Sequence, residues 1–428
     1  MKTTGSVIST CVWVCLLLSS CKKETDTPAP ADVNPPPPAT TITPLALQSA
    51  SIRSEISTNS AKITSTITAS GSSAITEHGH YFSKTSKDPG ASDEKTKLGT
   101  NTGPFPAQFS SQLTNLEESI TYYVKPYATN QQATATGEVL TFTTNGFGAW
   151  NKIISYSETG EGVPADYDGD GKTDIAVLID GVDDDYLQVD YAGNGFAQWD
   201  KTVRLLNTTK AIVPADYDGD GKDDLGIHWA TGAWSIYYAK DGFVSKTELS
   251  SGYGKPGGEA VADYDGDGKA DIALFKDGQW FIDFAKDGFG SWNRADLKGY
   301  GTLGNPVPAD YDGDGKADIA LHTDNRWYID YATDGFGSWN RADLVNYGSL
   351  GGEAVADYDG DGKADIGLRK DGNWYIDYAA NGFGQWNKVY PGYGTQGKPV
   401  PADYDGDGKA DLGLLNAKQW FIDYWNNQ

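Results

Sequence analysis

The sequence Ala262-Asp263-Tyr264-Asp265-Gly266-Asp267-Gly268-Lys269-Ala270-Asp271 is the strongest indication of the fold, because nearly the same ten residues occur six times in this 428-residue chain. The copies follow one another at intervals of 50, 47, 47, 47 and 46 residues. Their first aspartates are Asp166, Asp216, Asp263, Asp310, Asp357 and Asp403. Self-similarity at a fixed period of this length is typical of propellers and solenoids. Residues 145–428 are therefore predicted to form one repeat domain.

Each repeat has the strand content of one propeller blade. In the third repeat the acidic loop is followed by a short apolar strand over 271–275, a turn over 276–278 and an alternating aromatic strand over 280–284. A Gly-Phe-Gly-x-Trp segment and a Tyr-Gly turn then lead to the next loop. This pattern predicts about four short strands and no helix in each unit.

The two ends of the repeat region complement each other. The segment 145–150 carries a Phe-Gly-x-Trp pattern before the first loop, whereas the last repeat stops at 420–424 without one. We expect the N-terminal piece to complete the final blade, as in a closed ring. An open solenoid would have atypical capping repeats, and this sequence has none. The predicted fold is all-β, with a six-bladed propeller.

Carboxylates stand at positions 1, 3, 5 and 9 of every loop, and the intervening glycines let alternate side chains converge. The carbonyl oxygen of the lysine at position 7 can add a further ligand. Oxygen ligands without His or Cys favour Ca²⁺, of which up to six are predicted. The predicted ligands are Asp166, Asp168, Asp170, Lys172 and Asp174; Asp216, Asp218, Asp220, Lys222 and Asp224; Asp263, Asp265, Asp267, Lys269 and Asp271; Asp310, Asp312, Asp314, Lys316 and Asp318; Asp357, Asp359, Asp361, Lys363 and Asp365; and Asp403, Asp405, Asp407, Lys409 and Asp411.

These loops are not EF-hands, which need a bidentate glutamate at position 12. Position 12 is aliphatic in every copy, as at Leu274. A solvated acidic turn is the alternative interpretation, but without metal the crowded carboxylates would repel one another. The 24 aspartates at these positions nearly equal in number the formal net charge of -25. We therefore expect the aspartate at position 9 to close a calcium site.

With these residues in place, the repeats resemble the FG-GAP or VCBS repeat, whose nine-residue calcium loop also occurs in the propeller of integrin α chains. The resemblance covers about two thirds of the chain. It implies that the aspartates at positions 1, 3, 5 and 9 bind the ion. Propellers of this family often have seven blades, whereas this sequence contains six repeats.

The N-terminus predicts export. An apolar run over 7–18 is too short to span a bilayer but suits a signal peptide, predicted over 1–20. Its end, Leu18-Ser19-Ser20-Cys21, resembles the lipobox of bacterial lipoproteins, which implies lipidation of Cys21; an ordinary secretory signal is the alternative. All three cysteines lie within the first 21 residues, so the folded part has no disulfide. The proline-rich stretch 21–43 is predicted to be an extended linker.

Residues 44–144 alternate with period two and predict roughly seven short strands in a β-sandwich. The stretches 75–82, 113–116, 122–130 and 142–144 resemble fibronectin type III-like modules of bacterial surface proteins. His78 and His80 lie on one face of a strand, where a solvated surface is favoured over a metal pair.

Repeated aromatic and polar residues outside the loops are predicted to be structural. The tryptophans that open the aromatic strands are interpreted as core rather than sugar platforms, and a second set is a better candidate for exposure. The first set is Trp234, Trp280, Trp327, Trp374 and Trp420; the second is Trp150, Trp199, Trp292, Trp339 and Trp386. His228 and His322 occupy a variable repeat position, which argues against catalysis. The strand aspartates Asp190, Asp283, Asp330, Asp377 and Asp423 recur too regularly for a catalytic role.

Charge and composition narrow the function. A sequence pI near 4.4 disfavours nucleic acid and anionic lipid surfaces, so membrane contact is expected through the lipid anchor only. We expect a monomeric, non-enzymatic lipoprotein of the bacterial outer membrane and cell surface that binds a glycan or a surface protein. The alternative is an extracellular carbohydrate-active enzyme such as a polysaccharide lyase. A lyase needs a base in an asymmetric cleft, and the near-symmetric sequence offers none.

Overall fold

The computed structural model describes residues 44–148, 150–181, 184–206, 210–250, 252–301, 304–349, 351–394 and 396–425. The predicted signal peptide, the lipidation site Cys21 and the linker over 21–43 lie outside the described residues. Residues from 44 onward form one compact unit. None of the helices in the described ranges is both long and apolar enough to cross a bilayer.

The described part of the chain is all-β, as predicted, with many small antiparallel sheets. Its first eight strands are β1 Leu45–Ile56, β2 Ser60–Ser70, β3 Ile75–Ser83, β4 Glu94–Lys95, β5 Ala107–Thr114, β6 Thr121–Asn130, β7 Thr134–Thr136 and β8 Leu140–Thr143. One sheet has the order β1-β2-β5, and a second has the order β4-β3-β6-β7 with β8 also paired to β6. Side chains of both sheets share one core, in which Ile63 and Leu113 meet Phe82 and Val124.

His78 and His80 correct one prediction. Both side chains are buried on β3, not solvated. The ring of His80 lies between the hydroxyls of Ser65 and Ser111, each 2.8 Å from a ring nitrogen. Burial, with a smaller contribution from His78, lowers the pKa of His80 to about 3, so the imidazole is neutral. Period-two patterning indicated the shared face but not that the face packs on a second sheet.

Six sheets of three or four strands, the repeat sheets, follow in chain order. Their strands are β9 Lys152–Ser155, β10 Glu161–Gly162, β11 Ile175–Ile179, β12 Asp184–Asp190, β13 Lys201–Leu206, β14 Lys210–Ala215, β15 Asp224–Trp229, β16 Trp234–Tyr237, β17 Lys246–Leu249, β18 Ile272–Lys276, β19 Gln279–Asp283, β20 Arg294–Lys298, β21 Asn305–Pro306, β22 Ile319–Thr323, β23 Arg326–Asp330, β24 Arg341–Val345, β25 Ile366–Lys370, β26 Asn373–Asp377, β27 Lys388–Tyr390, β28 Lys398–Pro399, β29 Leu412–Asn416 and β30 Gln419–Asp423. The first to sixth repeat sheets are β10-β11-β12-β13, β14-β15-β16-β17, β18-β19-β20, β21-β22-β23-β24, β25-β26-β27 and β28-β29-β30-β9.

The sixth repeat sheet joins the two ends of the repeat region. Its outer strand β9 comes from before the first loop and pairs antiparallel with β30, with Ile154 opposite Trp420. The backbone amide of Gly148 also donates a 2.9 Å hydrogen bond to the Asp423 carboxylate. The chain before the first loop therefore completes the final sheet as predicted, although the added strand lies at Lys152–Ser155, just after the predicted segment 145–150.

The acidic loops contact one another in a closed series. A backbone amide near the end of each loop donates a hydrogen bond of 2.7 to 2.8 Å to the carbonyl oxygen of the first aspartate of a neighbouring loop. The donor and acceptor pairs are Thr173 to Asp403, Asp223 to Asp166, Ala270 to Asp216, Ala317 to Asp263, Ala364 to Asp310 and Ala410 to Asp357. The first loop therefore bonds to the sixth as the others bond to their chain neighbours.

Aromatic rings form a second closed series. The phenylalanine of each Phe-Gly-type segment packs edge-on against the loop tyrosine of the preceding repeat, with ring centroids 5.8 to 6.3 Å apart. The pairs are Phe196–Tyr404, Phe243–Tyr167, Phe289–Tyr217, Phe336–Tyr264, Phe383–Tyr311 and Phe147–Tyr358. Five of these phenylalanines have positive φ, between 52° and 68°, which costs of order 1–3 kcal/mol each. Each follows a short 3-10 helix, and the packing of its ring against the tyrosine offsets the strain.

The two sets of tryptophans differ in solvent exposure, as predicted. The set that opens the aromatic strands is fully buried, at 0% exposure, which confirms its core role. The second set is half-buried in the described repeats and packs against tyrosines. Regular repeat positions therefore carry the hydrophobic stabilisation of all six sheets.

The N-terminal sheets contact the repeat sheets through Glu118. Its carboxylate accepts a 2.7 Å hydrogen bond from the Tyr390 hydroxyl and forms an ion pair with Lys388. Gly146, with φ of 115°, lies so close to Glu118 that a Cβ atom there would overlap its side chain. The connection between the two parts of the unit is therefore tightly packed.

Candidate metal centres

The aspartate at position 1 holds each loop in shape. In the third loop one carboxylate oxygen of Asp263 accepts the amides of Gly266 and Asp267 at 2.7 and 3.2 Å. Its other oxygen accepts the amide of Gly268 at 2.8 Å. The two glycines have φ of 77° and 82°, a region that residues with a Cβ rarely adopt. The same three contacts recur in the other loops, so the Asp-x-Asp-Gly-Asp-Gly sequence determines the turn locally.

The aspartate at position 9 is the most buried of the four aspartates in each loop. In the third loop Asp271 is 0% exposed, and its carboxylate accepts the amides of Tyr264 and Ala285, both at 2.8 Å. Ala285 begins the 3-10 helix after the aromatic strand, so the second amide comes from about 14 residues away. Sequence reasoning did not identify this amide, because no side-chain pattern marks it.

Burial raises the pKa of every position-9 carboxyl. The pKa is about 7 for five of them and about 8 for the sixth, with repulsion from neighbouring carboxylates as a further cause. The five are Asp174, Asp224, Asp271, Asp318 and Asp365; the sixth is Asp411. A bound cation would favour the charged form and reverse this shift.

Two of the position-3 aspartates, Asp218 and Asp265, indicate whether the loops can hold a metal ion. One oxygen each of Asp218 and Asp265, Oδ1, is buried and has no hydrogen-bond partner in the described part of the chain. The other oxygen of each forms an ion pair with a lysine of the nearby 3-10 helix, Lys240 or Lys286. Buried carboxylate oxygens without a partner are costly unless they coordinate a cation. These residues therefore fit a hard divalent ion such as Ca²⁺.

The structure brings together most of the predicted ligands. In the first four loops, carboxylate oxygens of positions 1, 3 and 9 lie within 4.8 Å of one another. In the fifth loop the group consists of Asp357, Asp359 and Asp361, which are positions 1, 3 and 5. In all six loops the exposed position-5 carboxylate accepts the amide of the position-7 lysine, as Asp267 does from Lys269 at 3.0 Å. Position 5 thus stabilises the turn and lies at the solvent side of the site.

The position-7 lysines have a role that sequence reasoning missed. The side chain of each lies against the first loop glycine of a neighbouring loop, where a Cβ would come within 2.9 to 3.1 Å of the lysine Cγ. Lys222 also donates from Nζ to the carbonyl oxygen of Asp168 at 2.6 Å. The series closes between Lys172 and Gly406. The lysine at position 7 of every loop was visible in the sequence, but its contact is with a different repeat and could not be read from spacing within one loop.

The two histidines considered as candidate catalytic residues have partners that explain their positions structurally. His228 and His322 are buried and stacked on Trp234 and Trp327. Their Nδ1 atoms contact a glutamate of the next repeat, Glu259 or Glu353, at 2.8 and 2.6 Å. Each histidine therefore joins adjacent repeat sheets.

The strand aspartates are buried acceptors for tyrosine hydroxyls and backbone amides. Asp330, for example, accepts from the Tyr300 hydroxyl and from the Gly337 amide. In the second repeat this aspartate is replaced by Tyr237. The pairing supports the structural interpretation of these aspartates.

Comparison with known proteins gives one family match. A family model described as FG-GAP-like repeat matches residues 263–321, which include the third and fourth loops. No curated protein matches the chain. The described chain is therefore an all-β repeat protein with an FG-GAP-like repeat, and its aspartate groups are compatible with a calcium-binding repeat module.

Several solved structures are similar to parts of the chain. The sensor domain of the anti-sigma factor RsgI4 from Pseudobacteroides cellulosolvens is 22% identical, covers 24% of this chain and 95% of its own, with a TM-score of 0.19. TcdB2-TccC3 is 14% identical over 86% of this chain and 19% of its own, with a TM-score of 0.37. A protein of unknown function from Bacteroides caccae is 13% identical over 70% of this chain and 90% of its own, with a TM-score of 0.32.

Proposed function

We propose that residues 145–428 form a six-bladed β-propeller stabilised by up to six Ca²⁺, and that the protein binds a glycan or protein ligand at the bacterial surface. The observation that carries the proposal is the closed series of hydrogen bonds between the six acidic loops. A ring closed in this way supports a propeller, and the unpartnered carboxylate oxygens of Asp218 and Asp265 in the second and third loops support calcium as the ion that stabilises it. Bound calcium neutralises the loop carboxylates and stabilises the folded state, as disulfides do in other extracellular domains.

Residues 44–144 are proposed to be a fibronectin type III-like sandwich that supports the propeller. Two sheets with one shared core, and the Glu118 contacts to Lys388 and Tyr390, support this arrangement. The proposed anchor is a lipid on Cys21, followed by the extended linker, and it rests on the sequence alone. The protein is proposed to act as a monomer and without catalysis.

Calcium content and thermal unfolding test the stapled propeller. We expect close to six Ca²⁺ per chain after dialysis against excess calcium, and a large fall in the unfolding midpoint after EDTA. An unchanged midpoint together with no bound calcium would refute the calcium role. Binding of the calcium-loaded protein to arrays of glycans and surface proteins tests the ligand class.

The anchor is tested separately in cells. Wild type is expected in the membrane fraction and accessible to added protease, whereas Cys21→Ser is expected to lose both properties. Membrane association of Cys21→Ser equal to that of wild type would contradict the lipid anchor and leave the propeller proposal unaffected.

A further inference from the structure

The second repeat lacks an aromatic cluster that the third to sixth repeats share. In those four repeats a tryptophan packs edge-on against a tyrosine at 4.6 to 4.8 Å and tilted against a Phe or Tyr at 5.4 to 5.5 Å. The clusters are Tyr253–Trp292–Phe281, Tyr300–Trp339–Tyr328, Tyr347–Trp386–Tyr375 and Tyr393–Trp150–Phe421. In the second repeat Lys246 replaces the tryptophan and Ser235 replaces the Phe or Tyr.

This double replacement leaves a larger cleft. In the fifth repeat the corresponding place, beside Trp386 and Tyr375, holds a cleft of about 150 Å³. In the second repeat the cleft measures about 400 Å³. Small-molecule sites measure roughly 300–1,000 Å³, so only the second of these two volumes falls in their range. The cleft of the second repeat is lined by Trp229, Ala230, Thr231, Ala233, Trp234, Ser235, Lys246, Glu248 and Leu249.

A tryptophan that no other repeat has at this position lines the cleft. The residues at the position of Trp229 in the other repeats are Ile179, Lys276, Thr323, Lys370 and Asn416. Trp229 is half-buried, and its indole N–H donates a 2.8 Å hydrogen bond to the Ser235 hydroxyl. The side chain that replaced the repeat's Phe or Tyr thus holds the new indole in place.

The charges of the polar side chains at the cleft cancel one another. Lys246 forms an ion pair with Glu248, and its Nζ lies 3.3 Å from the Tyr237 hydroxyl. The pair supplies hydrogen-bond donors and acceptors without a net charge. A flat aromatic ring beside a neutral set of donors and acceptors suits a ligand with one apolar face and hydroxyls at its edge. A neutral pyranose has this chemistry.

We propose that the cleft formed by Trp229, Lys246 and Glu248 in the second repeat binds one neutral pyranose unit of a glycan. The inference deepens the proposed glycan-binding function and rests on it. Two of the shared aromatic residues are replaced in this repeat, and the variable position beside them carries a tryptophan, so all three side chains line the same cleft. The site would give this near-symmetric chain a single binding position on the second repeat.

The test uses the full chain in millimolar Ca²⁺ and a panel of neutral methyl glycosides as probes. Binding is measured by calorimetry and by tryptophan fluorescence. Lys246→Trp restores the residue of the other repeats and fills the cleft, and Trp229→Ala removes the indole. Lys276→Ala changes the same position in the third repeat and serves as the matched control. Each variant's thermal midpoint and calcium content report whether it folds.

We expect wild type and Lys276→Ala to bind one of the glycosides, and both cleft variants to bind it at least tenfold more weakly while keeping their calcium. Equal binding by wild type and folded Lys246→Trp would overturn the cleft but leave glycan binding intact. Binding of wild type to larger glycans on an array, but to none of the glycosides, would also overturn the single-pyranose site alone. Failure of wild type to bind any glycan would overturn this inference and the proposed glycan-binding function together.

Discussion

Replacement of Asp318 by Asn separates the calcium role of a loop from its structural role. Asp318 is fully buried, and its two carboxylate oxygens accept the amides of Tyr311 and Ala332, both at 2.8 Å. Asn has nearly the same shape but one oxygen, so it can satisfy only one of these two amides. It also removes the charge that would bind the ion.

The two buffers give different expected magnitudes. At calcium about 100-fold above Kd, loss of one bound ion costs about 2.7 kcal/mol, and the unsatisfied amide adds about 1–3 kcal/mol. In EDTA at pH 8 the wild-type carboxyl is ionised above its folded pKa of about 7. Because the pKa of Asp318 is raised from 3.8 to about 7, the ionised carboxylate destabilises the calcium-free fold by about 4 kcal/mol. Asn removes this cost, which offsets the lost hydrogen bond. Asp318→Asn is therefore expected to destabilise strongly in calcium, and in EDTA to leave the stability unchanged or raise it by up to about 3 kcal/mol.

The assay is thermal unfolding followed by circular dichroism in both buffers, with calcium counted on the same samples. For a repeat region of this size about 1 kcal/mol shifts the midpoint by about 1–2 °C, so the expected fall in calcium is about 4–10 °C. Asp330→Asn is the matched control, since Asp330 is equally buried but lies outside the loops. We expect it to lower the midpoint by the same amount in both buffers. An equal fall for Asp318→Asn in both buffers, or an unchanged calcium count, would mean that Asp318 does not bind calcium.

Three further predictions concern pH, strain and the contact between the two parts of the unit. Because burial raises the pKa of the position-9 carboxyls to about 7, their protonated form stabilises the calcium-free fold below pH 4, and this stability is lost as pH rises through 7. The midpoint in EDTA should therefore fall between pH 5 and 8 more steeply than in calcium, as scanning calorimetry in both buffers would show; parallel profiles would contradict this. Phe336→Gly relieves a φ of 64° but loses the ring packed on Tyr264, and we expect a net loss of about 1–3 kcal/mol in chemical unfolding, whereas a more stable variant would mean that strain dominates. Gly146→Ala forces a Cβ into Glu118 and should increase proteolytic cleavage near residue 145 without reducing bound calcium; an unchanged cleavage rate would show that the contact tolerates the methyl group.

The loops were predictable because their geometry is local. Two glycines at fixed spacing permit the left-handed turn, and the position-1 aspartate accepts amides only three to five residues away. The alternation of the aromatic strands likewise predicted that Trp280 and its equivalents are buried, because side chains two apart share a face of a strand. The unmatched segment before the first loop predicted the pairing of β9 with β30.

Contacts between repeats were not predictable in the same way. The partner of His228 is Glu259, which lies 31 residues away on the next repeat, and neither residue is marked by a pattern of its own. The burial of His80 depends on a second sheet that supplies Ser111. Such pairs become visible only when the distance in space is known, because sequence periodicity reports which face a residue occupies and not what covers it.

The sequence alone determined the all-β class, the six repeats, the residues of each acidic loop and the buried tryptophans, because all of these depend on spacing within one repeat. The tertiary structure decided which loop amides close the series from Asp403 to Thr173 and how deeply the position-9 carboxyls are buried. It also decided that Lys246 and Ser235 open a cleft, since a missing side chain leaves space only where its neighbours do not fill it. Packing between elements distant in sequence is the physical reason for the difference.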